Sequence, residues 1–138
     1  MEINETDVYP LYADTDAMQI VYHGSYVPWL ELGRTKLMEN LVNQFQTETG
    51  KELWLPIIEL DIKYKNPALL YEHLVVRTRV KSMRAATIEF AYEVINKQTR
   101  ELHVKATTKH PITDTERHPV NIKKEYPKFY ERIINMIE

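Results

Sequence analysis

Cysteine is absent from all 138 residues, which removes disulfides, thiolate zinc sites and a thiol nucleophile from consideration. That absence suits a reducing compartment, and a cytoplasmic location is expected. Glycine is scarce, three in all, so there is no phosphate-cradling loop and no dinucleotide fingerprint. No Gly-x-Ser-x-Gly elbow offers a serine nucleophile. His23, His73, His103, His110 and His118 fall at no metal-ligand spacing, so no metal is expected. No apolar run approaches the roughly 18 residues of a membrane span. The opening Met-Glu-Ile-Asn-Glu-Thr-Asp is polar and acidic, unlike a signal peptide. A net charge of −2 gives no broad pull toward nucleic acid or an anionic membrane.

What remains is ordinary for one globular domain spanning residues 1–138, with 43% hydrophobic and 28% charged residues. Val8 to Ala13 reads as a short strand, confined to an edge or a strand start by Pro10. Asp14 to Gln19 reads as a turn. Tyr26, Leu30, Gly33, Leu37 and Leu41 then recur at helical spacing. Pro28 belongs in the first turn of that helix, with Ser25 as the expected N-cap. Gly33 in mid-helix costs about 1 kcal/mol relative to alanine, so close packing should explain it. Gln44 to Lys51 is expected to be a polar connection.

Four segments of period two follow: Ile58–Tyr64, Leu74–Lys81, Ile88–Val94 and Leu102–Thr108. Each is expected to be a strand with one buried face. Short linkers between the last three suit hairpins, hence a mostly antiparallel sheet. Phe129, Ile133, Ile134 and Ile137 mark a closing helix within Tyr126–Ile137. The fold class is therefore α+β: a curved antiparallel sheet around one long central helix, with a short C-terminal helix.

The stretch from Tyr12 to Arg34 carries the chemistry. Asp14 and Asp16 lie in a turn, and His23 stands seven residues after Asp16, just ahead of the helix. A carboxylate brought to the first N–H groups of a helix could attack a carbonyl or direct water at it. The plainer reading makes both acids turn formers. Arg77, Arg79, Lys81 and Arg84 form the densest basic cluster, which is either a solvated sheet face or a seat for phosphates.

The run Tyr-Ala-Asp-Thr-Asp-Ala-Met-Gln-Ile-Val-Tyr-His-Gly-Ser-Tyr resembles the signature of the 4-hydroxybenzoyl-CoA thioesterase family, acyl-CoA thioesterases of hotdog fold. The likeness continues more weakly to Pro119-Val120-Asn121-Ile122. It implies Asp16 as nucleophile or general base, and the His23 N–H as oxyanion donor, with the His23 ring and Tyr12 assisting. Tyr22 and Tyr26 either line the acyl pocket or fill the helix–sheet interface. The likeness implies Glu31 toward the acyl group, where a surface pair with Arg34 or Thr35 is the plainer reading, Gln19 at the pocket, and Arg84 on the coenzyme A nucleotide. No cofactor is implied, coenzyme A being part of the substrate. The thioester carrier could be coenzyme A or an acyl carrier protein, and a homodimer or homotetramer is implied.

Gln19 stands where the family usually has glycine, and Tyr71-Glu72-His73 replaces a turn that often contains Gly and Asp. Pro28 occupies a position where a longer side chain is common. Gln19 leaves open an alternative, a non-catalytic acyl-thioester binding protein of the same fold. A dehydratase finds no matching His and helix carboxylate, and a nucleic-acid module lacks the basic balance.

Overall fold

A computed structural model describes all residues from Met1 to Glu138. The elements in chain order are β1 (Asn4–Val8), α1 (Tyr26–Thr49), β2 (Glu59–Tyr64), β3 (Leu74–Met83), β4 (Thr87–Asn96), β5 (Leu102–Pro111), α2 (Ile122–Glu125) and α3 (Pro127–Ile137). Two short 3-10 turns, Tyr12–Asp14 and His23–Ser25, lie between β1 and α1. The strands form one sheet in the order β1-β3-β4-β5-β2, and every pairing is antiparallel. Irregularities in register, between Val80 and Ser82 on β3 and between Val94 and Ile95 on β4, are places where a sheet bends and twists more strongly.

α1 lies on one face of this sheet. Leu30, Leu37 and Met38 join Val76, Val80, Phe90, Tyr92, Val94 and Val104 in one core. Gly33 sits at the closest approach of helix and sheet. A Cβ there would collide with Thr78 Oγ1 and come within 3.0 Å of Val76 Cγ1. The helical glycine is thus a packing requirement, as its cost suggested. α3 extends the same layer by turning Phe129, Ile133 and Met136 inward.

Four expectations need correction. The first strand is Asn4–Val8, not Val8–Ala13, and Tyr12–Asp14 coils into a 3-10 turn. Pro10 brings no N–H to a ladder, while the Asp14 carboxylate takes the Leu11 N–H at 2.8 Å and the Thr15 hydroxyl donates to the Tyr12 carbonyl. α1 does not stop before Gln44 but continues to Thr49. Phe45 is buried against Phe129 and Tyr126, and Gly50, at φ 67°, ends the helix in the left-handed region. Ser25 is helical and caps nothing.

The fourth correction concerns β2. Its alternation does not bury a face: Ile58 is 63% exposed, Leu60 42% and Tyr64 50%. β2 is a sheet edge: Ile62 packs against the core from it and Tyr64 meets Tyr26 at the start of α1, while Ile58 and Leu60 stay open. The other three alternating segments bury their expected residues, except that Leu102, at the start of β5, is only half-buried. Near the start of β3 the outer face is buried as well, at Val75, Ile95 and His103. There the His103 ring is bonded by the Asn66 carbonyl and the Glu72 carboxylate.

Candidate active site

Between β1 and α1 the chain makes a compact loop held by backbone bonds and by the side chains of Asp14, Thr15, Asp16 and Ser25. Asp16 N–H donates to the Ile20 carbonyl, Gln19 N–H to the Asp16 carbonyl and Tyr22 N–H to the Asp14 carbonyl. The Ser25 hydroxyl donates to the same Asp14 carbonyl at 3.0 Å. This is the job Ser25 performs in place of capping: it ties the acidic loop to the start of the helix. Val21 N–H reaches across to Ala68 O, anchoring the loop beside the start of β3.

Asp14 is spent on its own turn, through Leu11 N–H. Asp16 accepts one bond, from Met18 N–H at 2.8 Å, and makes no ion pair. Gln19 sits at φ 63°, a left-handed conformation that glycine adopts freely and a side chain adopts at a cost of about 1–2 kcal/mol. The usual glycine at this place therefore answers a backbone need, which glutamine also meets. Tyr71, in the other departing turn, is likewise left-handed at φ 62°.

His23 opens the 3-10 turn that runs directly into α1. Neither the His23 nor the Gly24 N–H donates to any group of the protein. Free N–H groups at the start of a helix carry the positive end of its dipole. The His23 carbonyl is held from elsewhere: Tyr64, on β2, donates its hydroxyl to it at 2.8 Å. No spacing rule links residues 41 apart in sequence, and period two marks Tyr64 only as a buried strand residue. The His23 ring lies against Tyr22, with centroids 4.1 Å apart, and makes no hydrogen bond.

The other candidates divide. Tyr12 and Tyr22 are exposed on the same loop. Tyr26 is a core residue, 2% exposed, edge-on to Trp29. Burial pushes its phenol up to about 12, so it remains neutral. Glu31 is exposed on α1 and pairs with nothing in the chain. Arg77 is taken up by Glu5 and Glu93. Arg84 lies in the β3–β4 turn, at the far end of β3 from Ala68 and the acidic loop. Nine strand steps separate those ends by roughly 30 Å, so one chain does not bring Arg84 to Asp16.

Beneath α1 runs a polar chain with no sequence motif. Arg34 Nη1 donates to the Tyr92 hydroxyl at 3.3 Å, which lies 2.6 Å from Thr108 Oγ1. Thr108 Oγ1 in turn lies 2.8 Å from His110 Nε2, and His110 Nδ1 faces the Leu55 carbonyl at 3.0 Å. Burial, reinforced by the Arg34 charge, lowers the His110 pKa, and burial raises that of Tyr92. No group of three or more His, Asp or Glu side chains is arranged to hold a metal ion. No helix is long and apolar enough to cross a membrane.

With that geometry in view, the family model of the thioesterase-like superfamily matches residues 10–132. YneP of Bacillus subtilis is 31% identical over 131 residues, covering 94% of each chain. This chain belongs to the thioesterase-like superfamily. The acyl-CoA thioester hydrolase YbgC of Escherichia coli is 29% identical over 92 residues, covering 67% of this chain and 69% of that protein. Among solved structures, a DHNA-CoA thioesterase from Staphylococcus aureus superposes with a TM-score of 0.82 at 23% identity, covering 98% of this chain and 91% of that one. The probable thioesterase YbaW of Escherichia coli superposes with the same TM-score, 0.82, at 18% identity, covering 98% and 99%. The superfamily fold thus accounts for the whole sheet-and-helix arrangement, including the terminal helices outside the conspicuous motif.

Proposed function

We propose that the protein hydrolyses an acyl thioester of coenzyme A to the free acid and thiol. The observation that carries this reading is the pair of unengaged N–H groups, His23 and Gly24, beside a loop that holds Asp16. Thioester hydrolysis needs two things at one carbon: an attacking oxygen and a stabilised oxyanion. Preorganised backbone donors at a helix start supply the second without reorganisation. Asp16 supplies the first, as general base for water or as nucleophile through an acyl-aspartyl intermediate. In either route water ends on the acyl carbon and the sulfur leaves as thiol.

Tyr12 and the His23 ring assist at the same loop, and Tyr22, Gln19 and Glu31 bound the acyl group. Tyr26 supports that wall from the core. Coenzyme A and acyl carrier protein present the same thioester, and either carrier fits this chemistry. A cysteine-free chain suits action in the cytoplasm.

The same reading requires a second protomer. β2 leaves its outer edge unpaired and carries Ile58, Leu60 and Tyr64 exposed. Antiparallel pairing of β2 with its copy about a two-fold covers those residues. It also carries the Arg84 end of one protomer toward the His23 end of the other, which closes the separation found within one chain. A homodimer is therefore the active unit, and two such dimers make the homotetramer.

Thiol release from short, long and aromatic acyl-CoAs tests the proposal, with wild type beside Asp16→Asn. Wild type should turn over part of the panel, and the variant should lose about 100-fold or more, the scale of a general base. Equal rates would remove Asp16 from the chemistry. Silence across the panel with acyl-CoA still bound would identify a binding protein of the same fold.

A further inference from the structure

The acidic loop rests on the turn between β2 and β3, and a buried charged pair fixes that turn. His103, on β5, has a side chain only 2% exposed, and Glu72, just before β3, lies against it. One Glu72 oxygen accepts the Leu69 N–H at 3.0 Å. The other accepts from the Asn96 amide at 2.8 Å and faces His103 Nε2 at 2.5 Å. Burial raises the Glu72 carboxyl, but the bonds from Asn96, the Leu69 N–H and His103 outweigh it and hold it below its ordinary value. His103 Nδ1 faces the Asn66 carbonyl at 3.0 Å, so both ring nitrogens meet acceptors. Against a carboxylate and a carbonyl, a ring with two N–H groups satisfies every partner. A buried ion pair is a poor source of stability, since apolar residues of similar volume often do as well. What it can supply is placement.

The turn so placed is the seat of the loop. Leu69 forms an antiparallel bridge with Ile20, and the Ala68 carbonyl accepts the Val21 N–H at 2.9 Å. The Ile20 carbonyl in turn accepts the Asp16 N–H at 2.9 Å. At the entry to the loop, the Pro10 carbonyl accepts the Tyr71 N–H at 3.0 Å. Glu72 also closes the turn on itself, returning its N–H to the Leu69 carbonyl at 3.1 Å beside the left-handed Tyr71. From His103 the links run through Glu72, Leu69 and Ile20 to Asp16 without a gap. Neither Glu72 nor His103 bonds the loop with its side chain, so their influence passes through Ala68 and Leu69.

We infer that Glu72 and His103 are positioning residues for hydrolysis: they fix residues 66–72 and, through them, the place where Asp16 stands. The inference rests on the assignment of Asp16 to the attacking step. The pair works from the buried outer face of the sheet, so its loss falls on turnover and not on binding of the acyl-CoA.

Hydrogen exchange of the intact, substrate-free protein and steady-state kinetics test it together. Glu72→Gln keeps the shape and removes the charge. The Val21 and Asp16 amides should then exchange about tenfold faster or more, the scale of a weakened charged hydrogen bond, with Phe90 and Val94 in β4 unchanged. The kcat should fall about tenfold or more with KM within about twofold, because a misplaced reacting group costs rate. Asn96→Asp sets a second carboxylate against Glu72 while its Oδ1 still accepts the Gln98 and Thr99 N–H groups. It should act in the same direction, and it serves as the test if Glu72→Gln does not fold. Glu101→Gln removes the exposed acid 3.8 Å from His103 Nδ1 and should change neither reading. A purely structural pair would loosen β4 along with the loop, at unchanged kcat per folded molecule, and that result would overturn the inference. So would Val21 exchange that stays at the wild-type rate in both Glu72→Gln and Asn96→Asp. The role of Asp16 fails separately, on equal rates in wild type and Asp16→Asn. Collapse in Asp16→Asn beside full kcat in Glu72→Gln sinks the positioning role alone.

Discussion

β1 and β2 are both edge strands of the same sheet, and their side chains have opposite character. Along β1, Glu5 is held by Arg77 and Arg100, and Asp7 by His73 and Lys97. Val8, its last residue, is buried in the core. Charge on an edge discourages a further strand. β2 instead presents Leu60 and Tyr64 to solvent, with Ile58 just before them, and its one side-chain ion pair, Glu59 to Lys109, is at its first residue. One chain thus completes the first edge and leaves the second ready for another strand. Alternation in a sequence marks a strand without saying what covers its apolar face.

The strongest way to break the contrast is to charge the apolar edge. Leu60→Lys should leave the far-ultraviolet circular dichroism unchanged and weaken self-association by about thirtyfold or more, the scale of a central interface residue. Sedimentation velocity reads it, and an unchanged oligomer would place the contact on a different surface. A smaller effect is expected in the helix–sheet layer that both edges share. Gly33→Ala gains about 1 kcal/mol of helix propensity but pushes into Thr78 and Val76, with a net loss of about 1–3 kcal/mol. Urea unfolding at fixed protein concentration measures it, and a stabilised variant would mean that helix and sheet separate easily. The smallest change belongs to the finished edge. Arg77→Gln removes pairs to Glu5 and Glu93 that are partly open to water, for about 1 kcal/mol or less and with no change of oligomer. Dissociation in this variant would show that the polar edge, too, is an interface.

These two edges also explain which parts of the fold were legible in the sequence. β3, β4 and β5 are central, and their apolar alternation meets a real layer, so Val76, Phe90, Tyr92 and Val104 are buried as the period implied. β1 was misplaced because Asn-Glu-Thr-Asp carries no apolar period, while the more apolar segment after it contains Pro10. β2 was found but given the wrong environment. The last turns of α1 were missed because Phe45 is the one apolar anchor in a polar run.

At the site, the Asp14–His23 stretch was visible because its residues are close in sequence and lie in one loop. Tyr64, and the chain from Arg34 through Tyr92 and Thr108 to His110, were not, since the contacts cross from helix to strand and between strands. The left-handed backbone at Gln19 was hidden for a different reason: the residue there does not advertise the conformation it adopts.

The hydroxyl that Tyr64 sends to the His23 carbonyl joins an edge strand to the turn that begins α1. Whatever steadies β2 therefore steadies the donors of that turn. Thermodynamic reciprocity follows: if pairing of two chains sharpens affinity for a ligand at the turn, that ligand strengthens the pairing by the same factor. Should two chains pair along β2, that single phenol would make assembly and recognition one coupled equilibrium, with the concentration of protein an effector of its own site.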